Sequence, residues 1–264
     1  MKRRLVKVAV TLSLVLPGML MADHVWVGLF AKGTPYTTQG FESRKYFSGF
    51  AEAIEKRWKA GYTLLDVEQG YHRWMGIFVK GDRVTKQAYT SRRDIEKFLK
   101  VLDIRRDQGY AVTDIEWGNG KWVGVFAKGS GIKGQQFVVL DDVVNLPALI
   151  KNANKKGLVM DKITYGSGQW LVIFAQKSRY TNPLITISDS FEAFQKHTLK
   201  IWDRGYQLVD MEYGFSKWIG IYAKKTGLTH EVFDAINDFD DFDANVNKRW
   251  KQGFKLIDLA DGKN

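Results

Sequence analysis

The chain has 264 residues, of which 45% are hydrophobic and 26% charged, and its formal net charge is +11 at pH 7. The apolar content is enough for a sizeable core, and the basic excess favours anionic partners. The chain contains no cysteine, which excludes disulfides, thiolate metal sites and cysteine nucleophiles.

The N-terminal segment predicts a secretory signal peptide. Lys2, Arg3 and Arg4 precede a largely apolar run over residues 5–21, which is the usual layout of such signals. We therefore expect residues 1–22 to be removed after Ala22, and residues 23–264 to form one exported domain, periplasmic or extracellular. No later stretch approaches the roughly 20 apolar residues of a membrane-spanning helix. Neither a membrane span nor a nucleic-acid partner is expected.

Two residue types recur with a fixed period of 48 residues. Self-similarity of this kind indicates a repeat architecture before local propensity is considered. The recurring tryptophans are Trp26, Trp74, Trp122, Trp170 and Trp218. The recurring glycines, which we take as the unit boundaries, are Gly61, Gly109, Gly157, Gly205 and Gly253.

Each unit predicts three strands followed by a helix. In the unit that starts at Gly61, a glycine-bounded strand over residues 61–70 and a strand starting at Trp74 form an antiparallel hairpin. A third extended segment carries a Thr-x-Gln-x-aromatic pattern, as at residues 37–41. The spacing of the apolar residues then changes from two to three or four, which indicates a helix, and glycine marks the end of that helix. The first helix places its apolar residues Phe47, Phe50, Ile54 and Trp58 on one face.

The two ends of the chain carry complementary parts of one unit. The Trp26 strand has no glycine-bounded strand before it, and the last strand, over residues 253–262, has no Trp strand after it. Pairing the two would remove exposed sheet edges. The predicted fold is therefore α+β: a propeller-like toroid of five antiparallel strand-strand-strand-helix repeats, closed by pairing of the N- and C-terminal strands. An open array is the alternative.

Three sequence motifs carry a family resemblance: Gly-Tyr-x-Leu-x-Asp-x-Glu-x-Gly, Trp-x-Gly-x-Phe-Ala-Lys, and a helix ending in Lys-Arg-Trp-Lys-x-Gly at residues 56–61 and 248–253. They resemble an uncharacterised repeat module found after the kinase domain of plant casein-kinase-I-like proteins and in bacterial proteins. The resemblance spans most of residues 24–262. It implies a module that holds or recognises something, and no activity comes with it. The chain has no kinase motif.

Acidic residues alternate along the first strand of most units, so they share one face of the strand. A two-residue spacing is about 6.6 Å, near that of an inverting glycosidase pair. A pair repeated around several units is nevertheless weak support for one catalytic site, which needs an asymmetric arrangement. The residues are Asp66, Glu68, Asp114, Glu116, Asp210, Glu212 and, alone in its unit, Asp258.

The unit starting at Gly157 departs from this pattern. Four positions change together there, to Lys162, Thr164, Val172 and Gln176. The favoured interpretation is ion pairing within each sheet, with Glu68 over Gly76 and Asp66 near Lys80. The alternative is a ligand-lining surface formed by the carboxylates, Lys162, Trp74 and Trp122. For the repeated tryptophans, core packing is favoured over such a surface.

No catalytic, cofactor or metal site is predicted. The four histidines lack ligand spacing, and no Gly-x-Ser-x-Gly elbow is present. The first hypothesis is an exported, non-enzymatic binding or scaffolding protein of the cell envelope, with a protein or another envelope component, anionic or glycan, as partner. The alternative is a carbohydrate-binding or carbohydrate-active protein that uses a carboxylate and Trp surface. A third, a five-bladed enzyme acting on guanidino groups, lacks the usual cysteine nucleophile.

Overall fold

The computed structural model describes residues 24–181 and 183–263, so the predicted signal peptide lies outside it. Within these residues, fifteen strands form five three-stranded antiparallel sheets, and five helices accompany them. The fold is α+β, as predicted. None of the helices in this part of the chain is long and apolar enough to cross a membrane.

The elements follow one another with the regularity of the repeat. In chain order they are β1 (His24–Lys32), β2 (Thr38–Arg44), α1 (Phe47–Lys59), β3 (Thr63–Gly70), β4 (Arg73–Lys80), β5 (Lys86–Arg92), α2 (Ile95–Asp107), β6 (Ala111–Gly118), β7 (Lys121–Lys128), β8 (Gln136–Leu140), α3 (Leu146–Lys155), β9 (Val159–Gly166), β10 (Gln169–Ala175), β11 (Leu184–Ser188), α4 (Phe191–Trp202), β12 (Gln207–Gly214), β13 (Lys217–Ala223), β14 (His230–Ile236), α5 (Phe239–Lys251) and β15 (Lys255–Lys263).

Every sheet has the same strand order. A Trp-bearing strand lies in the middle of each sheet. The strand written first in each of the following orders is called the outer strand, and the strand written last is on the opposite edge: β2-β4-β3, β5-β7-β6, β8-β10-β9, β11-β13-β12 and β14-β1-β15. In the last sheet the two ends of the described chain meet, because β1 pairs antiparallel with β15 and His24 lies opposite Lys263.

The edge strands opposite the outer strands contact one another, and we call β3, β6, β9, β12 and β15 the facing strands. The contacting pairs are β3 with β6, β6 with β9, β9 with β12, β12 with β15 and β15 with β3.

The sheets are out of phase with the predicted unit. A unit starting at Gly61 would group β3, β4 and β5, but β5 pairs with β7, Lys86 lying opposite Lys128. The short connection after β4 carries the chain into the next sheet, where the Thr85 N–H donates to the Lys128 carbonyl at 2.9 Å. Four of the sheets are therefore built from an outer strand and the hairpin that follows the next helix, and in the fifth sheet β1 and β15 take the place of that hairpin.

Glycine ends each helix as predicted. After α1, Gly61 adopts a φ of +77°, which favours a residue without a Cβ. Its N–H donates to Trp58 O at 2.9 Å, and the N–H of Tyr62 donates to Arg57 O at 3.0 Å. These two bonds are the pair that defines a Schellman motif, and they satisfy carbonyls that the helix end leaves free.

The five repeated tryptophans are core residues, which confirms the favoured interpretation. All five are 0% exposed, and in four of the five sheets a helix phenylalanine packs on the tryptophan, as where the Phe50 and Trp74 ring centroids are 6.1 Å apart. The glycine of the middle strand makes room for this ring, since a Cβ on Gly76 would lie 2.8 Å from Phe50 Cζ.

Candidate functional site

The facing strands turn their acidic side chains away from their own sheets. The pairing of β3 with β4 shifts register between Leu64 and Asp66, and an extra residue of this kind re-aims the side chains that follow. Glu68, two residues further on, shares the face of Asp66. We define the carboxylate cluster as the seven predicted acidic residues, of which six are buried and Glu212 is half-buried: Asp66, Glu68, Asp114, Glu116, Asp210, Glu212 and Asp258.

Lys162 lies at the middle of this cluster. It occupies the position on β9 that aspartate occupies on the other facing strands, and its side chain is only 10% exposed. Its Nζ is 2.6 Å from Asp114 Oδ1 and 2.7 Å from Asp210 Oδ1. Asp66 Oδ1 is 4.0 Å away. One ammonium thus joins the facing strands of four sheets, and the unit that departs from the pattern supplies the counterion for the others.

The predicted ion pair between Asp66 and Lys80 is wrong. Asp66 points toward the other facing strands, whereas Lys80 Nζ lies 4.6 Å from the centroid of the Tyr62 ring. Lys128 and Lys224 lie in the same way over Tyr110 and Tyr206.

The change at Gln176 therefore has a cause of its own. Lys80, Lys128 and Lys224 each cover an aromatic ring, but the third sheet has Leu158 at the ring position. Without a ring there is no cation–π partner for a lysine.

The predicted contact of Glu68 with Gly76 is also wrong, because Gly76 packs against Phe50. In the third sheet Leu146 replaces that phenylalanine, and Val172 replaces the glycine. The smaller leucine leaves room for the valine side chain. Val172 and Gln176 thus have separate packing causes, and Lys162 pairs with carboxylates of other sheets, so ion pairing within the sheet is not needed to explain these three changes.

The carboxylates instead accept hydrogen bonds from backbone groups of neighbouring facing strands. Asp114 Oδ2 accepts from Val67 N at 2.6 Å, and Asp258 Oδ2 accepts from Met211 N at 2.7 Å. Glu68 Oε1 accepts from Asp261 N at 2.8 Å. A facing strand is the edge of its sheet, so its outward N–H groups need such partners when they are buried.

Glutamine side chains of the outer strands make a second set of links between sheets. Gln87 donates to Leu64 O at 2.7 Å and accepts from Leu64 N at 2.7 Å and from Trp58 Nε1 at 2.9 Å. Gln39 repeats the arrangement with Leu256 O at 2.6 Å, Leu256 N at 2.9 Å and Trp250 Nε1 at 2.6 Å.

The glutamine of the Thr-x-Gln pattern thus links neighbouring sheets. In the last sheet a glutamate, Glu231, takes its place and accepts from Leu208 N at 3.3 Å. Burial raises the pKa of Glu231 to about 8.

Several carboxyl groups of the cluster have pKa values above those of carboxylates in water. Burial, together with the neighbouring Asp114, raises the pKa of Asp66 well above its usual range. Burial also raises the pKa of Glu116, with help from Glu68. For Lys162, burial alone would lower the pKa, but Asp114 and Asp210 raise it well above the usual value. The cluster therefore combines one ammonium with buried carboxyl groups whose pKa values are raised, Asp66 and Glu116 among them.

A cavity of about 350 Å³ lies beside the ends of β3 and β6, among the connections that link the sheets. Sequence reasoning missed it, because its residues lie in aperiodic connections. One signal was present: at the position of Arg179 the other connections carry Pro35, Arg83, Gly131 and Gly227. The side chains and backbone that line it are Pro35, Tyr36, Leu64, Leu65, Gly81, Asp82, Arg83, Val84, Gln87, Thr113, Ser130 and Arg179.

The cavity and the predicted site residues are separate. Among the described residues that line it, none belongs to the carboxylate cluster. Trp74 and Trp122 are fully buried, so they offer no face on which a ligand could stack, and Lys162 is engaged by carboxylates. Within residues 24–181 and 183–263, no group of three potential metal-ligating side chains is arranged to hold a metal ion.

Comparison with known families gives one match. A family profile described as a domain of unknown function, DUF7477, matches residues 69–264. The chain belongs to the DUF7477 family. A search of curated proteins finds no match. The DUF7477 region includes Lys162 and Arg179, whereas Asp66 and Glu68 precede it. In the structure those preceding residues belong to β3, which completes the first sheet with β4 of the DUF7477 region.

Proposed function

We propose that the chain is an exported, non-enzymatic binding protein. In this proposal the five sheets form a closed toroid, the carboxylate cluster holds the toroid together, and the cavity next to Arg179 binds the ligand. The ligand is a component of the cell envelope. The single observation that carries the binding role is this cavity, to which the connections between sheets contribute residues that differ from unit to unit.

Closure of the toroid is supported by one contact that recurs at all five junctions. Each facing strand has a glycine at its end, and this glycine packs against a side chain of the neighbouring facing strand, one residue before that strand's own glycine. Gly118 packs in this way on Gln69, and Gly166 packs on Trp117. Gly70 makes the same contact with Asp261. The junction between the two ends of the chain thus repeats the internal ones.

A structural role for the cluster is supported by its engagement. Most of its carboxylates are held by Lys162 or by backbone N–H groups, and an acid–base catalyst needs access to a substrate proton. The cavity, by contrast, is open to small molecules, and its volume falls at the lower end of the roughly 300–1,000 Å³ of ligand pockets.

Export can be tested by expressing the full chain and measuring the intact mass of the protein outside the cytoplasm. We expect a species that has lost residues 1–22, within a few residues. Retention of the full-length chain in the cytoplasm would contradict export.

Binding can be tested by a thermal-shift screen against glycans, peptidoglycan fragments and anionic polymers. A ligand at 100 times its Kd should stabilise the protein by about 2.7 kcal/mol. Val84→Trp, which fills the cavity, should abolish the shift, and Arg93→Met, on an exposed residue outside the cavity, should preserve it. A shift that survives Val84→Trp would place the binding surface elsewhere.

A further inference from the structure

Two arginines, Arg83 and Arg179, line the cavity, and the bonding capacity of Arg179 is largely unused. Arg179 Nη2 donates to Thr113 O at 3.5 Å, a long and weak contact. Within the described residues, Arg179 has no carboxylate oxygen within 4.0 Å. A guanidinium carries five N–H donors in a fork that matches a carboxylate or phosphate.

The nearest carboxylates already have donors of their own. Asp161 accepts from Ser178 Oγ, and Asp82 accepts from Thr63 Oγ1. Asp210 is held by Lys162 Nζ at 2.7 Å. An anion that reaches Arg179 therefore does not have to displace an existing ion pair.

Apolar groups form much of the remaining lining, beside the polar residues Asp82, Arg83, Gln87, Thr113 and Ser130. Leu65 and Val84 contribute aliphatic side chains, and the Tyr36 ring adds an aromatic wall. This lining leaves Arg179 exposed to solvent, so an anion can reach its guanidinium from outside the cavity. It also offers contact area to a hydrocarbon body of matching size.

We propose that this cavity binds a small organic anion, whose acidic group pairs with Arg179 and whose apolar body packs on Leu65 and Val84. The inference rests on the proposed function and names the ligand class for the same site. A carboxylate and a phosphate ester share the chemistry that the guanidinium recognises.

The test uses probes of one shape and different charge on the full chain: benzoate, phenyl phosphate and benzamide, titrated by calorimetry at low ionic strength. We expect benzoate or phenyl phosphate to bind at least tenfold more tightly than benzamide, because a charged hydrogen-bonded pair contributes about 1.5–3 kcal/mol. Whichever of the two anions binds more tightly indicates whether the ligand is a carboxylate or a phosphate ester.

Two variants locate the charge. Arg179→Met should weaken binding of the better anion at least tenfold and leave benzamide unchanged, and Arg179→Lys should lie between Arg179→Met and wild type. Arg93→Met removes the same charge from an exposed site outside the cavity and should have no effect.

Equal binding of benzamide and both anions, or anion binding that survives Arg179→Met, would overturn the anion inference while leaving the cavity as the binding site. Absence of binding by all three probes would overturn it as well. Failure of the proposed function has a different signature, which is binding in the wider screen that is unaffected by Val84→Trp.

Discussion

Replacing Lys162 with methionine removes the ammonium that neutralises the carboxylate cluster. Lys162 Nζ is 2.6 Å from Asp114 and 2.7 Å from Asp210, and methionine keeps most of the side-chain volume. Deleting one partner of a buried ion pair costs about 3–5 kcal/mol, because a buried charge is left uncompensated. The alternative for the protein is to protonate one carboxyl. From a pKa of 3.8, that costs about 4 kcal/mol at pH 7, at about 1.4 kcal/mol per pH unit.

Whether the charge stays uncompensated or one carboxyl is protonated, the free energy of unfolding falls by about 3–5 kcal/mol at pH 7. Protonation also determines how this loss depends on pH. The folded variant binds at least one proton that the unfolded chain has lost above pH 3.8. Its stability relative to wild type therefore falls as pH rises, by about 1.4 kcal/mol per pH unit for each extra proton, and the deficit nearly vanishes at pH 4. Urea unfolding, followed by the fluorescence of the buried tryptophans at several pH values, measures this.

Lys80→Met is the matched control. Lys80 covers the Tyr62 ring, so its removal should cost only about 0.5–1 kcal/mol and equally at each pH. The reasoning is refuted if Lys162→Met loses no more than Lys80→Met, or if its deficit does not grow with pH.

Two further predictions concern the sheet interfaces. Glu231→Gln introduces the glutamine that three of the other sheets carry at this position, Gln39, Gln87 and Gln135. Since the pKa of Glu231 is raised from 4.5 to about 8, the wild type loses stability as pH rises through this window. The variant should gain at most about 5 kcal/mol at pH 9 and nothing at pH 4, and chemical unfolding at both pH values checks this. Gly76→Val should lose about 1–3 kcal/mol by overpacking against Phe50. Adding Phe50→Leu should recover at least 1 kcal/mol of the summed losses in a double-mutant cycle, and strict additivity would contradict the account given for Leu146 and Val172.

The regular elements could be predicted from the sequence because each depends on local chemistry. Periodicity located the strands and helices, the repeated glycines located the helix ends, and the five tryptophans were recognised as core residues. The pairing of the outer strands could not be read in this way. A strand segment such as β5 carries no local signal that tells whether it pairs with the strand before it or with one 40 residues later.

The site was predicted only in composition. Alternation places Asp66 and Glu68 on one face of β3, but it does not say what lies opposite that face, which depends on how the sheets are arranged. Lys162 looked like a departure from the pattern and is the counterion of the cluster. Arg179 and its cavity lie in connections without periodicity, so only the structure brings those residues together.

The closed toroid is tested most directly by comparing Gln39→Leu with Gln87→Leu. Each glutamine makes three hydrogen bonds to a neighbouring sheet: Gln87 joins consecutive sheets, and Gln39 joins β2 to the C-terminal α5 and β15. Removing either leaves buried backbone and indole groups without partners, at a cost of about 2–5 kcal/mol. A closed toroid predicts equal losses in urea unfolding. A loss for Gln87→Leu with no loss for Gln39→Leu would contradict closure.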